Sequence, residues 1–182
     1  MADQERHSFA WTDLLWLAFL GGLALMDPVF EVHKQETLLV IGLFQIFEHR
    51  LLAWLPSRGR FYSVIIKILL ATVLVEHTGG INSSYYLIYF LPVVTAAMFF
   101  DAGGTLSWTA VTSLAYCLHL IPALREYELT PEGAKELALR NIFFFLAAMV
   151  VNRFVSESRR QAQRYRLLAE ELAETNRRLE QA

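Results

Sequence analysis

Apolar residues in this chain arrive in blocks of about one helix each. The blocks lie near residues 11–27, 37–55, 61–77, 85–100, 104–121 and 137–155, with short polar stretches between them. Each approaches the roughly 17–25 residues needed to cross a hydrocarbon core about 30 Å thick, so the pattern predicts an all-α membrane protein with six transmembrane helices. The connection at 27–36 carries Asp27, Glu31, Lys34 and Glu36, whereas the next carries Arg50, Arg58 and Arg60. The stretch 122–136 is acidic through Glu126, Glu128, Glu132 and Glu136, and Arg153, Arg159, Arg160, Arg164 and Arg166 follow the last block. Because Lys and Arg accumulate on cytoplasmic loops, this alternation predicts that both termini are cytoplasmic. The expected division is a cytoplasmic segment at 1–10, a six-span domain at 11–155 and a cytoplasmic helix at 156–182.

The composition sharpens this picture only slightly. The 182 residues are 55% hydrophobic and 19% charged, and the net charge of −2 matters less than where the charges sit. Nucleic acid is not an expected partner, whereas membrane lipid is. Cys117 is the single cysteine and has no internal disulfide partner, so it reads as a small buried hydrophobe. No cleavable leader is evident at the N-terminus, because the first apolar block follows both acids and bases and lacks a small-residue cleavage pattern.

Several polar residues interrupt the apolar blocks. Counting back from Pro56 puts Glu48 about 10 Å inside one end of its helix, and Lys67 lies at a similar depth counted from Phe61. Similar depths leave open an intramembrane Glu48–Lys67 pair or two charges that snorkel independently. Pro92 removes a backbone donor inside the fourth block and is a candidate hinge or kink. Asp101-Ala102-Gly103-Gly104 reads as a tight turn with a capping aspartate, and Thr130-Pro131 as the start of a helix running to the end of the chain. Tyr165, Leu172 and Leu179 at a, with Leu168 and Thr175 at d, give that helix a heptad seam. The seam predicts a parallel coiled coil and a homodimer.

Between the third and fourth blocks runs Glu76-His77-Thr78-Gly79-Gly80-Ile81-Asn82-Ser83-Ser84-Tyr85-Tyr86. Gly79 and Gly80 permit a tight reversal, and Asn82, Ser83 and Ser84 can satisfy exposed peptide groups. Tyr85, Tyr86 and Tyr89 form an aromatic group that either stacks on a planar ligand or anchors its helix, and anchoring is the simpler role. The run from Thr78 to Tyr85, followed by Leu87, Tyr89, Leu91 and Pro92, resembles the N-terminal six-span membrane sensor region of bacterial sensor histidine kinases, including redox-responsive ones with a related Gly-Gly outer loop. Ser84 and Tyr85 stand where that pattern has proline and phenylalanine, and Ser83 where the redox-sensing version has asparagine. The resemblance implies an inner-membrane input and dimerisation module of a two-component system, passing an outer-side or membrane-dissolved stimulus to an output domain further along the parent chain. It also implies quinone as a ligand and an ATP-dependent histidine kinase as the parent enzyme.

Glu31, His33, Glu76, His77 and His119 map to one side of the predicted topology and supply nitrogen and oxygen donors for a metal or haem. No two histidines stand one helical turn apart, so the set depends on tertiary placement. Catalytic residues are not expected in this stretch, which lacks a glycine-rich phosphate cradle. The alternatives are a small multi-span transporter or a membrane structural protein. Transport is disfavoured by the lack of an internal repeat.

Overall fold

The computed structural model describes residues 18, 21–22, 32–55, 58–80, 83–121 and 131–180. Among these, the elements are α1 (Val32–Trp54), α2 (Gly59–His77), a 3-10 segment (Ser84–Tyr89), α3 (Phe90–Phe99), α4 (Ala102–Leu118) and α5 (Pro131–Glu180). Most of the expected first block, Glu31, Asn82 and the Thr130 cap lie outside the described residues.

Local sequence explains the breaks. After α2 the chain turns at Gly79 and Gly80, whose φ angles of 107° and 60° lie in the left-handed region that only glycine enters without strain. Ser83 then starts the 3-10 segment, its Oγ accepting the Tyr85 N–H at 3.1 Å. Pro92 does not break a long helix. The 3-10 segment ends at Tyr89, so Pro92 falls in the first turn of α3, where proline is well tolerated. The expected mid-helix hinge is therefore a junction of two helix types placed before the proline. Asp101 caps α4, its Oδ1 accepting the Gly104 N–H at 3.0 Å. Gly104 is needed there, because a Cβ would stand 2.9 Å from both Asp101 Oδ1 and Phe100 Cβ.

The core gathers Leu74, Val75, Tyr89, Val93, Tyr116, Phe144 and Ala148 from α2 to α5, all fully buried. Its aromatic rings meet edge to face, Tyr89 on Tyr116 at 5.4 Å and Tyr116 on Phe144 at 5.8 Å. A smaller cluster of Val64, Ile68 and Ala96 packs near the other end of α2. The first half of α5 lies on α3 and α4 and is fixed there by polar contacts. Asn152 Nδ2 donates to Phe100 O at 3.0 Å, Thr105 Oγ1 at 3.0 Å and Ala97 O at 3.3 Å, and the Arg159 guanidinium donates to Met98 O. These bonds satisfy carbonyls that the end of α3 leaves without intrahelical partners.

This arrangement corrects the six-crossing expectation. Among the described residues one helix, Pro131–Leu179, is long and apolar enough to cross a membrane. At 10 and 17 residues, α3 and α4 are short of the roughly 20 that a span needs. Arg60, Lys67 and Glu76 interrupt α2, while α1 carries Lys34, Glu36, Glu48 and Arg50, with Lys34 and Glu48 buried in the fold. The chain is all-α in its described residues, but its helices are organised by packing on one another. The six-span fold, the inner-membrane placement with cytoplasmic termini and lipid as a partner are corrected on this ground. The outward helix faces are nonetheless apolar, with Leu39, Leu69, Leu114 and Ile142 each more than half exposed.

The coiled coil and the parallel homodimer are corrected as well. Tyr165, Leu168, Leu172 and Leu179 are 54–72% exposed on a lone helix, and the Thr175 hydroxyl turns back to Glu171 O at 2.9 Å. A heptad spacing over two or three turns also describes an apolar stripe on a single helix, which is what the structure shows.

Candidate functional site

Among the described residues, two buried polar clusters between the helices contain ionisable side chains. In the first, Lys67 of α2 places Nζ 2.9 Å from Glu48 Oε1 and 2.7 Å from Oε2 on α1, and 2.9 Å from Thr95 Oγ1 on α3. Ser63 donates its hydroxyl to Glu48 Oε1. Thr95 spends its own proton on Leu91 O at 2.8 Å, so all three Lys67 contacts require Nζ as the donor, which only the ammonium form provides. Burial pushes the Lys67 amine below its ordinary range and Glu48 pulls it back up. The structure therefore brings Glu48 and Lys67 together as a hydrogen-bonded ion pair with Lys67 only 2% exposed.

The second cluster joins residues far apart in the chain. Glu76 Oε2 lies 2.7 Å from His119 Nδ1, His119 Nε2 lies 3.1 Å from Tyr89 OH, and Tyr89 OH lies 2.9 Å from Thr72 Oγ1. Thr72 Oγ1 in turn donates to Ile68 O at 2.8 Å. The carboxylate end reaches water, with the Glu76 side chain 58% exposed, while His119 and Tyr89 are buried. Burial pushes the Tyr89 phenol up to about 12, against the lowering effect of the Thr72 hydrogen bond. The geometry forms a polar chain from solvent to the centre of the aromatic core.

The loop residues singled out in the sequence adjoin this chain. Ser83 is buried, and its Oγ lies 2.5 Å from Thr78 Oγ1, which is itself donating to Leu74 O at 2.8 Å. Ser83 is thus the donor to Thr78 and the acceptor from Tyr85 N–H, so it stitches both ends of the turn. Ser84 opens the 3-10 segment and is exposed. Tyr85 and Tyr86 point to different helices, each facing a cation: Lys34 Nζ sits 4.7 Å from the Tyr85 ring centre and the Arg140 guanidinium 4.0 Å from that of Tyr86. Arg140 Nη1 also donates to Tyr116 OH at 2.6 Å. With Tyr85 and Tyr89 buried, these rings pack as core and clasp the segment between α1 and α5.

Of the five candidate metal ligands, Glu31 lies outside the described residues. Glu76 and His119 are engaged with each other, and the His33 and His77 rings approach one another with centres 5.9 Å apart. No group of three or more His, Cys, Asp or Glu side chains is placed to hold a metal among the described residues. Sequence reasoning did not single out Thr72, Thr95 or Asn152. Thr72 and Thr95 are lone polar side chains in apolar helical runs, and that isolation was the available signal, whereas Asn152 adjoins Arg153 and does not stand out.

No protein-family model, curated protein or solved structure matches the chain. With one membrane-length helix among the described residues and helices packed on each other, the resemblance to the six-span sensor region of histidine kinases is corrected, together with the input-module role it implied. The multi-span transporter alternative falls on the same observation.

Proposed function

We propose that this chain is a helical scaffold that grips α5 by its first half and presents residues 156–180 to a different polypeptide. The supporting observation is the change along one continuous helix. Up to Asn152 it is held by core packing and by three hydrogen bonds from one amide, and beyond Arg159 every described side chain through Leu179 is exposed. A 50-residue helix extends about 75 Å, so its second half projects well past the packed core. The projecting half carries a stripe of Tyr165, Leu168, Leu172 and Leu179, flanked first by Arg159, Arg160, Arg164 and Arg166 and then by Glu170, Glu171 and Glu174. Such a helix suits an apolar groove whose rim is acidic beside Tyr165. The buried polar clusters serve this role by fixing one arrangement of the supporting helices.

Photo-crosslinking residues at positions 168 and 172, introduced in producing cells, are expected to join one and the same distinct polypeptide. Charge reversal at Arg160 and Arg164 should abolish the crosslink while leaving the helical spectrum unchanged. Hydrogen exchange of the isolated chain should show protection through 131–155 and rapid exchange through 160–180. Crosslinks confined to a second copy, crosslinks insensitive to the arginines, or protection of 160–180 in the isolated chain would each reject the reading.

A further inference from the structure

The described part of α1 begins at Val32 and α2 ends at His77, with their short connection at the opposite ends. At the open end of this helical hairpin the His33 and His77 rings approach each other, centres 5.9 Å apart and planes inclined at 47°. Both side chains are exposed, His33 to 79%.

His77 Nδ1 lies 2.8 Å from Val73 O, one turn back on its own helix, so the proton of a neutral ring belongs on Nδ1 and the lone pair is left at Nε2. On His33 the Glu36 carboxylate stands 3.6 Å from Nδ1, too far for a hydrogen bond, so either ring nitrogen is open to coordinate. Metal-binding histidines in general have one nitrogen fixed by a carbonyl or carboxylate and the other free to coordinate.

The spacing fits a shared ion. With metal–nitrogen bonds of about 2.0–2.1 Å and a near-tetrahedral angle, two imidazoles on one zinc place their ring centres about 5–6 Å apart. We propose that His33 and His77 form a divalent transition-metal site, using Nε2 of His77 and a ring nitrogen of His33 with water completing the coordination, and taking Zn²⁺, Cu²⁺ or Ni²⁺. Imidazole nitrogen suits these ions, whereas Mg²⁺ and Ca²⁺ prefer oxygen. The two residues are 44 positions apart (77 − 33), so a bound ion closes a long chain loop at the open end of the hairpin. With two protein ligands the affinity is modest, and the structural effect is a staple between α1 and α2. The site does not depend on the role proposed for α5.

Titration of the full chain with ZnCl2, followed by calorimetry and by thermal unfolding, tests the site. One Zn²⁺ per chain should bind and raise the unfolding midpoint, and both effects should be lost in His33→Gln and in His77→Gln. A His7→Gln/His49→Gln background should retain them, and MgCl2 should give neither. If His77→Gln fails to fold, His33→Gln carries the test, since that side chain is 79% exposed. No binding up to millimolar Zn²⁺, or binding that survives His33→Gln, would overturn the assignment.

Discussion

The two buried polar clusters are built from similar parts but differ in how they end. Around Lys67 each polar group has a partner inside the protein: Glu48 accepts from Lys67 and Ser63, Lys67 donates three times, and Thr95 closes the set on a carbonyl. Around His119 the chain of contacts runs from the buried Tyr89 and Thr72 out to Glu76, whose carboxylate meets water. Burial raises the cost of an unmet charge and also strengthens a met one, so a closed cluster is all-or-none while an open one can exchange partners with solvent. The first cluster therefore locks α1, α2 and α3 in one register. The second tolerates change at its outer end.

The sharpest way to break this contrast is to remove one charge from the closed cluster. Lys67→Met leaves the Glu48 carboxylate buried without its cation and is expected to cost about 3–5 kcal/mol in urea unfolding. Replacing both, Glu48→Leu with Lys67→Met, should recover most of that loss, because two apolar side chains remove the uncompensated charge. A double variant as unstable as the single one would mean that Ser63 and Thr95, not the ion pair, fix the helices.

These clusters also show what a sequence discloses. The described helix positions followed from the later apolar blocks, the Gly79–Gly80 reversal from glycine's freedom at positive φ, and the Asp101 cap from the Gly-rich turn it opens. Similar depth along two helices made the approach of Glu48 to Lys67 possible without deciding it, since a helix converts residue count into length but not into rotation. The His119 chain did not follow, because Thr72, Tyr89 and His119 meet through packing across 17 and 30 positions. Asn152 reaches partners 47 to 55 positions away, and nothing in its neighbourhood marks which carbonyls need it. The larger error came from reading apolar blocks as spans. A block's hydrophobicity states that a helix must be covered, and is silent on whether other helices do it. The heptads of 165–179 misled in a related way, since a short apolar stripe is compatible with a partner and also with an exposed face.

A smaller effect separates the clusters at alkaline pH. Tyr89 in the folded chain is pushed up to about 12, against about 10 for a free tyrosine. Below pH 10 both states keep the phenol proton and stability is unaffected by it. Between about 10 and 12 the unfolded state ionises while the folded one does not, so stability falls as pH rises, by about 1.4 kcal/mol per pH unit and about 2–3 kcal/mol over the window. Burial raises Tyr116 too, so it adds to the slope. Tyr89→Phe should flatten the decline by Tyr89's share while being less stable at neutral pH, where it lacks the hydroxyl that Thr72 and His119 use. An unchanged slope would place the Tyr89 hydroxyl in contact with water.

The smallest expected effect tests the open end of the second cluster most directly. Glu76 makes a 2.7 Å contact with His119, which by distance alone matches the Lys67–Glu48 bond, yet its side chain is 58% exposed. Water already solvates this carboxylate in the folded state, and salt screens it, so its partnership contributes little net stability. Glu76→Gln, which keeps a hydrogen-bonding oxygen and removes the charge, should cost less than about 1 kcal/mol, and the cost should shrink as salt is added. Glu48→Gln, the same change in the closed cluster, leaves the Lys67 ammonium buried without a counter-charge and should cost several times more at any salt concentration. Equal losses in the two variants would show that solvent does not reach the His119 chain, and the distinction between a closed and an open cluster would fail.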